Sequence, residues 1–143
     1  MFLKISEFKK AMKSALKTSG GLVIGNVKGH FLVHASLWGV WVESIYATSK
    51  FKAAIVELIG DMPEEETCYR YRLEEKTLKM EYQVSYEDPY DKWKEAKDFA
   101  CEIPLVFYSS PHELAVYQIN SDRSYVTVLQ SYAAGMMSPA ELE

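Results

Sequence analysis

Short apolar runs between turn residues dominate this sequence, and they constrain its fold more than any other feature. The first three runs cover residues 22–27, 31–37 and 40–47, and they are separated by Lys28-Gly29 and by Trp38-Gly39. Runs of this length that are rich in branched and aromatic residues are typical of β-strands, and such short connections join antiparallel neighbours. The pattern therefore predicts an antiparallel meander near the start of the chain.

Similar runs recur later in the sequence. Residues 68–73 and 77–86 flank Glu74-Glu75-Lys76, which predicts a β-hairpin. Residues 90–100 fit either a short helix or an irregular charged loop. Four further strands are expected, at residues 1–5, 103–108, 114–120 and 125–131.

Two segments have the pattern of amphipathic helices. The first runs from about Glu7 to Thr18 after Ser6 as its expected N-cap, and the second from about Lys50 to Ile59 after Thr48 or Ser49. At about 100° per residue, the apolar residues of the first helix fall on one arc and its lysines on the opposite arc. We therefore expect an α+β fold in which two main helices lie on one face of an antiparallel sheet.

No linker or low-complexity segment interrupts the 143 residues, so a single α+β domain is expected. Its last residues, 136–143, have the composition of a loose tail. The order of strand, helix and three strands near residues 1–47 is echoed near residues 40–86 by a strand, a helix and two or three strands. This repetition indicates an internal duplication of about forty residues.

Charge is distributed unevenly along the chain. Residues 1–52 carry eight lysines against two glutamates, which gives +6, whereas residues 53–143 carry eight basic against 18 acidic residues, which gives −10. Ammonium groups repeated along a helix face can bind phosphates, although most such faces are simply solvated. A protein with a net charge of −4 can still bind DNA if its basic surface is segregated. The candidate nucleic-acid-binding residues on the two helices are Lys9, Lys10, Lys13, Lys17, Lys50 and Lys52.

The residue types that bind metals or act as nucleophiles do not combine into a recognisable site. If His30 and His34 lie on one strand, four residues at about 3.3 Å each separate them by roughly 13 Å, which is too far for one ion. Cys68 and Cys101 are too few for a zinc site or a disulfide framework. His112 follows Ser109-Ser110-Pro111 in what reads as a turn, and no nucleophile motif surrounds it.

The seven glycines form no phosphate-binding loop, and the acidic turns lack the residue spacing of a calcium loop. We therefore expect no metal, no cofactor and no enzymatic activity. A small enzyme whose site residues come from loops is a third, less favoured hypothesis.

Composition excludes several classes of protein. Hydrophobic residues make up 48% and charged residues 25% of the chain, as in a globular protein with a packed core. No apolar run approaches the ~18 to 20 residues that span a bilayer, and the first ten residues lack the order of a signal peptide. A cytoplasmic location without membrane contact is expected.

The order of elements over residues 47–82 resembles a known architecture. A capped helix is followed by the turn Gly-Asp-Met-Pro-Glu-Glu-Glu and by the hairpin Tyr-Arg-Tyr-Arg-Leu-Glu-Glu-Lys-Thr-Leu-Lys-Met-Glu-Tyr, and the opening Phe-Leu-Lys-Ile-Ser-Glu-Phe-Lys-Lys-Ala-Met is similar. In these features the chain resembles one module of a bacterial DNA sliding clamp over residues 1–86 and at most 104. Residues 105–135 would then add strands that have no counterpart in the module.

The resemblance implies two strand-helix-strands units whose sheet faces outward and whose helices present lysines to a duplex. It also implies assembly of several copies into a ring, and contacts with phosphates that do not depend on base sequence. The first hypothesis is therefore a non-catalytic, clamp-like or clamp-mimicking module from a mobile element, which binds double-stranded DNA or a replication protein. The alternative is a protein-interaction or inhibitor domain that makes contact through acidic turns and the aromatic residues Tyr90 and Trp93.

Overall fold

Eight strands and three helices make up a computed structural model of the chain, which describes residues 3–85, 88–109, 112–123, 126–130 and 135–137. Contacts within it define two units. Unit 1 comprises Met1–Glu87 and Tyr132–Glu143, and unit 2 comprises Asp88–Ser131. The predicted end of the clamp-like module, residue 104, falls within unit 2.

Unit 1 contains two helices and one antiparallel sheet of five strands, in the order β3-β2-β1-β4-β5. A turn of 3-10 helix, Ser44–Tyr46, precedes the second helix. The elements are α1 (Ile5–Leu16), β1 (Leu22–Val27), β2 (His30–His34), β3 (Gly39–Glu43), α2 (Ser49–Ile59), β4 (Thr67–Glu74) and β5 (Thr77–Gln83).

Both helices of unit 1 pack on the same face of the sheet. Phe8 of α1 and Phe51 of α2 are fully buried and stack with their ring centroids 5.4 Å apart. The sheet residues in the same cluster alternate along each strand, as Leu22 and Ile24 do in β1. The intervening Val23 belongs to a second cluster, on the opposite face. The prediction of an α+β fold with two helices on one face of an antiparallel sheet is therefore confirmed.

The start of the chain differs from the prediction of a strand over residues 1–5. Helix α1 begins at Ile5, with Lys4 as its N-cap, so Ser6 lies inside the helix and does not cap it. Leu3 forms only an isolated bridge with Met137. The helix extends back to Ile5 because the amide of Phe8 donates to the carbonyl of Lys4 at 2.9 Å. Residues 1 and 2 lie outside the described part of the chain.

The prediction of a loose tail over residues 136–143 is wrong for its first residue, Met136. Met136 is buried at 3% exposure, and its carbonyl accepts a hydrogen bond of 2.7 Å from the Lys4 amide. A buried side chain and a backbone hydrogen bond fix this point of the chain on unit 1. Residues 138–143 lie outside the described part.

Strand β3 ends at Glu43, although an apolar run extends to residue 47. The chain turns there into the 3-10 segment, which leaves Ile45 and Tyr46 exposed. Helix α2 then follows its predicted bounds closely. The Thr48 hydroxyl accepts a hydrogen bond from the Phe51 amide at 3.2 Å, and Gly60 at φ 93° ends the helix.

Two of the hairpins of unit 1, β1–β2 and β4–β5, have the same register next to their turns. Pairing of Ile24 with Val33 in the β1–β2 hairpin corresponds to pairing of Tyr71 with Met80 in the β4–β5 hairpin, at a constant offset along the chain. The same offset relates the two turns, Lys28-Gly29 and Glu75-Lys76, and all four turn residues have positive φ. Strands β1 and β4 pair antiparallel at the centre of the sheet. The order β2-β1-β4-β5 is therefore symmetric about this pair, with β2 matching β5, and β3 is a fifth strand at one edge.

Unit 2 contains one short helix and a β-hairpin with a third strand. The elements are α3 (Pro89–Glu95), β6 (Ala100–Ser109), β7 (His112–Ile119) and β8 (Val126–Gln130), with β7 in the centre. The Asp88 carboxylate accepts from the Tyr90 amide at 2.8 Å and so caps α3. Of the two alternatives for residues 90–100, a short helix is therefore present. The predicted turn at Ser110-Pro111 lies outside the described residues.

Candidate nucleic-acid interface

Helix α1 presents the predicted lysines because its other face is buried. Phe8 and Met12 are fully buried in unit 1, and Lys10, Lys13 and Lys17 are exposed on the opposite side of the helix. Lys9 is half-buried because it points toward α2. The orientation predicted from the helical period is thus present.

Two of the predicted lysines form ion pairs with glutamates. The Lys9 ammonium lies 2.5 Å from the carboxylate of Glu57 on α2, and the Lys10 ammonium lies 3.0 Å from that of Glu7. The hydrogen bond from Lys9 and then its charge lower the pKa of Glu57, and the charge of Lys13 adds to the effect. Lys9 and Lys10 therefore already have anionic partners, which a phosphate would have to displace.

Helix α2 contributes fewer charges to the surface than α1. Lys50 and Lys52 are exposed at its first turn, and the Lys52 ammonium lies 6.0 Å from the centre of the Phe31 ring. Ala53 and Val56 are also exposed, and they separate the two lysines around the helix. The basic surface is therefore centred on α1 and reaches α2 only at its start.

The helices together present an excess of positive charge. The six predicted lysines are accompanied by only Glu7 and Glu57, which leaves four positive charges. Within the ranges that the structure describes, Lys13, Lys17 and Lys50 form no ion pair closer than 4.0 Å. We call these three residues the lysine triad. They are the positions of this surface best able to take new phosphate partners.

Tyr90 and Trp93 form an exposed aromatic pair on α3. Their rings stack with centroids 5.5 Å apart and an interplanar angle of 19°, and the Lys94 ammonium lies 4.3 Å from the centre of the Tyr90 ring. Trp93 is 62% exposed. The two residues are three apart on a helix, so the stacking follows from the local geometry. The structure thus brings the two predicted partner-binding residues together.

Strand β6 carries an exposed apolar run. The sequence predicts a strand at this position but not its exposure. Leu105, Val106, Phe107 and Tyr108 are each 47% to 80% exposed. Their signal in the sequence is a continuous apolar run without the alternation of a half-buried strand. Because β6 is an edge of its sheet, such a run is available to a partner.

The residues considered for metal binding have other contacts. The His30 ring lies 4.2 Å from that of Trp41, and its Nδ1 is 2.8 Å from the Lys28 carbonyl. Burial lowers the pKa of His34, which favours its neutral form. In the described ranges, no three His, Cys, Asp or Glu side chains are grouped to hold an ion. No described helix is long and apolar enough to cross a membrane.

Comparisons of this chain with protein-family models, with curated proteins and with solved structures find no match.

Proposed function

We propose that unit 1 is a non-catalytic, clamp-like module that binds double-stranded DNA through the phosphate backbone. The observation that carries this proposal is the placement of two adjacent helices on one face of the sheet, with four more positive than negative charges on them. Lys13, Lys17 and Lys50 supply the principal contacts. Lys9, Lys10 and Lys52 contribute less, because the first two hold glutamates and the third lies over Phe31.

The clamp-like hypothesis expects two strand-helix-strands repeats, and the matching hairpins support the helix-strand-strand part of each. The same offset relates the paired residues Leu22 and Tyr71 to the paired residues Tyr69 and Ile24, so we infer that the two repeats within unit 1 are related by a twofold axis. The helices carry a related pattern, Ser-x-Phe-Lys-x-Ala, at Ser6–Ala11 and at Ser49–Ala54. The stacked Phe8 and Phe51 occupy the same position in this pattern.

Backbone contacts of this kind give binding that depends on salt and not on base sequence. The proposal extends to a ring of several copies, or to contact with a replication protein on the same face. The ring and the replication partner are expectations that come from the clamp resemblance alone.

Reversal of the lysine triad tests the DNA proposal. In a fluorescence anisotropy titration with a labelled duplex, the triple variant Lys13→Glu/Lys17→Glu/Lys50→Glu should lose at least about tenfold in affinity. Its plot of log affinity against log salt should be less steep by roughly three units, one for each contact removed. The control, Lys92→Glu/Lys94→Glu/Lys97→Glu in unit 2, changes the net charge equally. Equal loss in the two variants, or none in the first, would contradict the proposed surface.

A single substitution tests, in the same assay, whether DNA affinity depends on the charge of this surface or on the net charge of the chain. Glu57→Gln removes the partner of Lys9 without altering a lysine, so it should tighten DNA binding several-fold. Glu65→Gln adds the same charge at an exposed turn and should change the affinity much less. If both variants behave alike, the effect comes from net charge alone.

A second candidate, a protein-interaction or inhibitor module, is favoured by the exposed aromatic pair in unit 2. Large aromatic residues are over-represented among interface positions that contribute more than about 2 kcal/mol. Immobilised protein should retain a stoichiometric partner from a cell extract, and Tyr90→Ser/Trp93→Ser should abolish this. Ile45→Ser/Tyr46→Ser, which removes two large side chains of unit 1 that are even more exposed, is the control. Retention that survives the first double variant would exclude the aromatic pair as the contact.

A further inference from the structure

A cavity of about 360 Å³ lies beside Trp38 in unit 1. Its walls come from the second half of α1, from the loop that follows this helix and from the turn between β2 and β3. Most of the lining is apolar, and Ala11, Leu37 and Trp38 contribute to it. The volume lies within the ~300–1,000 Å³ range of small-molecule sites. The cavity is therefore large enough to hold a small ligand.

The cavity lies on a flank of α1 that does not face α2. At about 100° per residue, Ala11, Ser14 and Thr18 fall within an arc of about 60° around the helix. Lys9, which pairs with Glu57 of α2, lies about 140° or more from this arc. The cavity and α2 are therefore on different flanks of α1.

Contacts within unit 1 fix the walls of the cavity. The Trp38 ring packs edge-on against the buried Phe8, with the centroids 6.2 Å apart. The Ala35 amide donates to the Trp38 carbonyl at 2.9 Å, which closes the turn between β2 and β3. Gly20 lies against this turn, since a Cβ at its position would be 2.5 Å from the Ser36 hydroxyl oxygen. The cavity is therefore preformed, and a ligand need not order its walls.

The polar groups of the cavity are hydroxyls, from Ser14, Thr18, Ser19 and Ser36. The Thr18 hydroxyl donates to the Ala15 carbonyl at 2.7 Å, and its oxygen can still accept. No charged side chain is among the described residues that line the cavity. Hydroxyls can donate to an uncharged polar group and accept from it, but they neutralise no charge.

This lining distinguishes between classes of ligand. An ionised ligand would lose its hydration in the cavity without an opposite charge to compensate it, and this costs far more than the burial of a neutral group. A pure hydrocarbon would cover the hydroxyls and leave them without hydrogen bonds. An uncharged ligand with an apolar body and one polar group avoids both costs.

We propose that this cavity binds a small uncharged molecule that has an apolar body and one hydroxyl or carbonyl group. The body packs against Ala11 and Trp38, and the polar group forms hydrogen bonds with the hydroxyls of Ser14 and Ser36. No member of the lysine triad lines the cavity. This binding activity therefore goes beyond the proposed DNA function and does not depend on it.

Titration of the full chain with three naphthalene derivatives of similar size tests the proposal. At neutral pH, 2-naphthol is uncharged, 2-naphthoate is an anion and 2-naphthylmethylammonium is a cation. Calorimetry should give an affinity for 2-naphthol at least about tenfold higher than for either ion, because only 2-naphthol enters the cavity without an unpaired charge. On addition of 2-naphthol, amide chemical shifts should change most at Ala11, Ser36 and Trp38.

Two matched variants locate the binding. Ser14→Phe fills the cavity from an exposed position of α1, and it should abolish 2-naphthol binding. Ser6→Phe is the same substitution at an exposed position of the same helix outside the cavity, and it should leave binding unchanged. Ser36→Ala removes one hydroxyl and should weaken 2-naphthol binding several-fold.

Three outcomes would overturn the proposal. The first is binding of either ion as tight as that of 2-naphthol, or shift changes centred outside the cavity. The second is an equal loss of binding in Ser6→Phe and Ser14→Phe, which would assign the effect to the stability of α1. The third is the absence of shift changes at the cavity with all three probes at millimolar concentration, which would favour an apolar side chain of a partner protein as the occupant.

Discussion

The two units of this protein differ in how far their described apolar side chains are buried. Among the residues whose side-chain burial the structure describes, which leaves out those of β8, the buried apolar residues belong to unit 1, with the single exception of Val116. Unit 2 instead exposes a stacked aromatic pair on α3 and the continuous run Leu105–Tyr108 on β6. Unit 1 thus has a conventional core, whereas the described side chains of unit 2 leave large apolar groups exposed.

The difference follows from the architecture of each unit. In unit 1 the strands alternate between a face covered by two helices and a face with its own small cluster, so both sets of apolar residues find neighbours. Unit 2 has three strands and a helix of seven residues, which are too few to cover two faces. Exposed apolar area in a small unit is typical of a surface that binds a partner.

Truncation of one phenylalanine in each unit should produce the largest contrast. Phe51→Ala removes a fully buried ring that stacks on Phe8, and it should lower the free energy of unfolding by about 3–5 kcal/mol. Phe107→Ala removes a ring that is 56% exposed, and the cost should stay below about 0.5 kcal/mol. Urea denaturation followed by circular dichroism measures both values.

The matched variant Phe8→Ala should resemble Phe51→Ala, because it removes the other ring of the same stack. If Phe107→Ala costs as much as either, unit 2 has a core of its own and the contrast between the units fails. If Phe51→Ala costs less than about 1 kcal/mol, the stack is not a central part of the core of unit 1.

Local signals in the sequence were sufficient to predict the bounds of several elements. Strand β1 has its predicted bounds of residues 22–27, because turn residues frame the apolar run on both sides. Helix α2 is correct to within one residue, since Thr48 and Gly60 supply a strong N-cap and C-cap. The start of α1 was wrong because Lys4, which has no capping side chain, holds that position and Ser6 does not. Where the local signal is weak, contacts elsewhere in the fold determine the boundary.

Features that depend on distant parts of the chain could not be predicted in this way. The antiparallel pairing of β1 with β4 joins segments about forty residues apart, and no local pattern specifies it. The helical period correctly predicted that the α1 lysines lie on the side opposite the buried residues. The pairing of Lys9 with Glu57, however, depends on how the two helices pack. A cavity beside Trp38 is likewise lined by α1, by the loop that follows it and by the loop between β2 and β3. The sequence was therefore sufficient to predict which α1 lysines are exposed, whereas tertiary packing determines which of them have charged partners.

The reaction rates of the two thiols should show the difference in burial between the units at single residues, with a smaller effect than the phenylalanine variants. Cys101 of unit 2 is exposed, whereas Cys68 of unit 1 is 3% exposed and burial raises the pKa of its thiol. The thiolate is the reacting form, so Cys68 must wait for unit 1 to open. Under native conditions it should react with Ellman's reagent at least about 100-fold more slowly than Cys101, which corresponds to an opening free energy of ~2.7 kcal/mol. Cys101→Ser should remove the fast phase and Cys68→Ser the slow one. In denaturant the two rates should converge, because the protection comes from burial. Two equal rates in the native protein would show that burial in unit 1 does not protect Cys68.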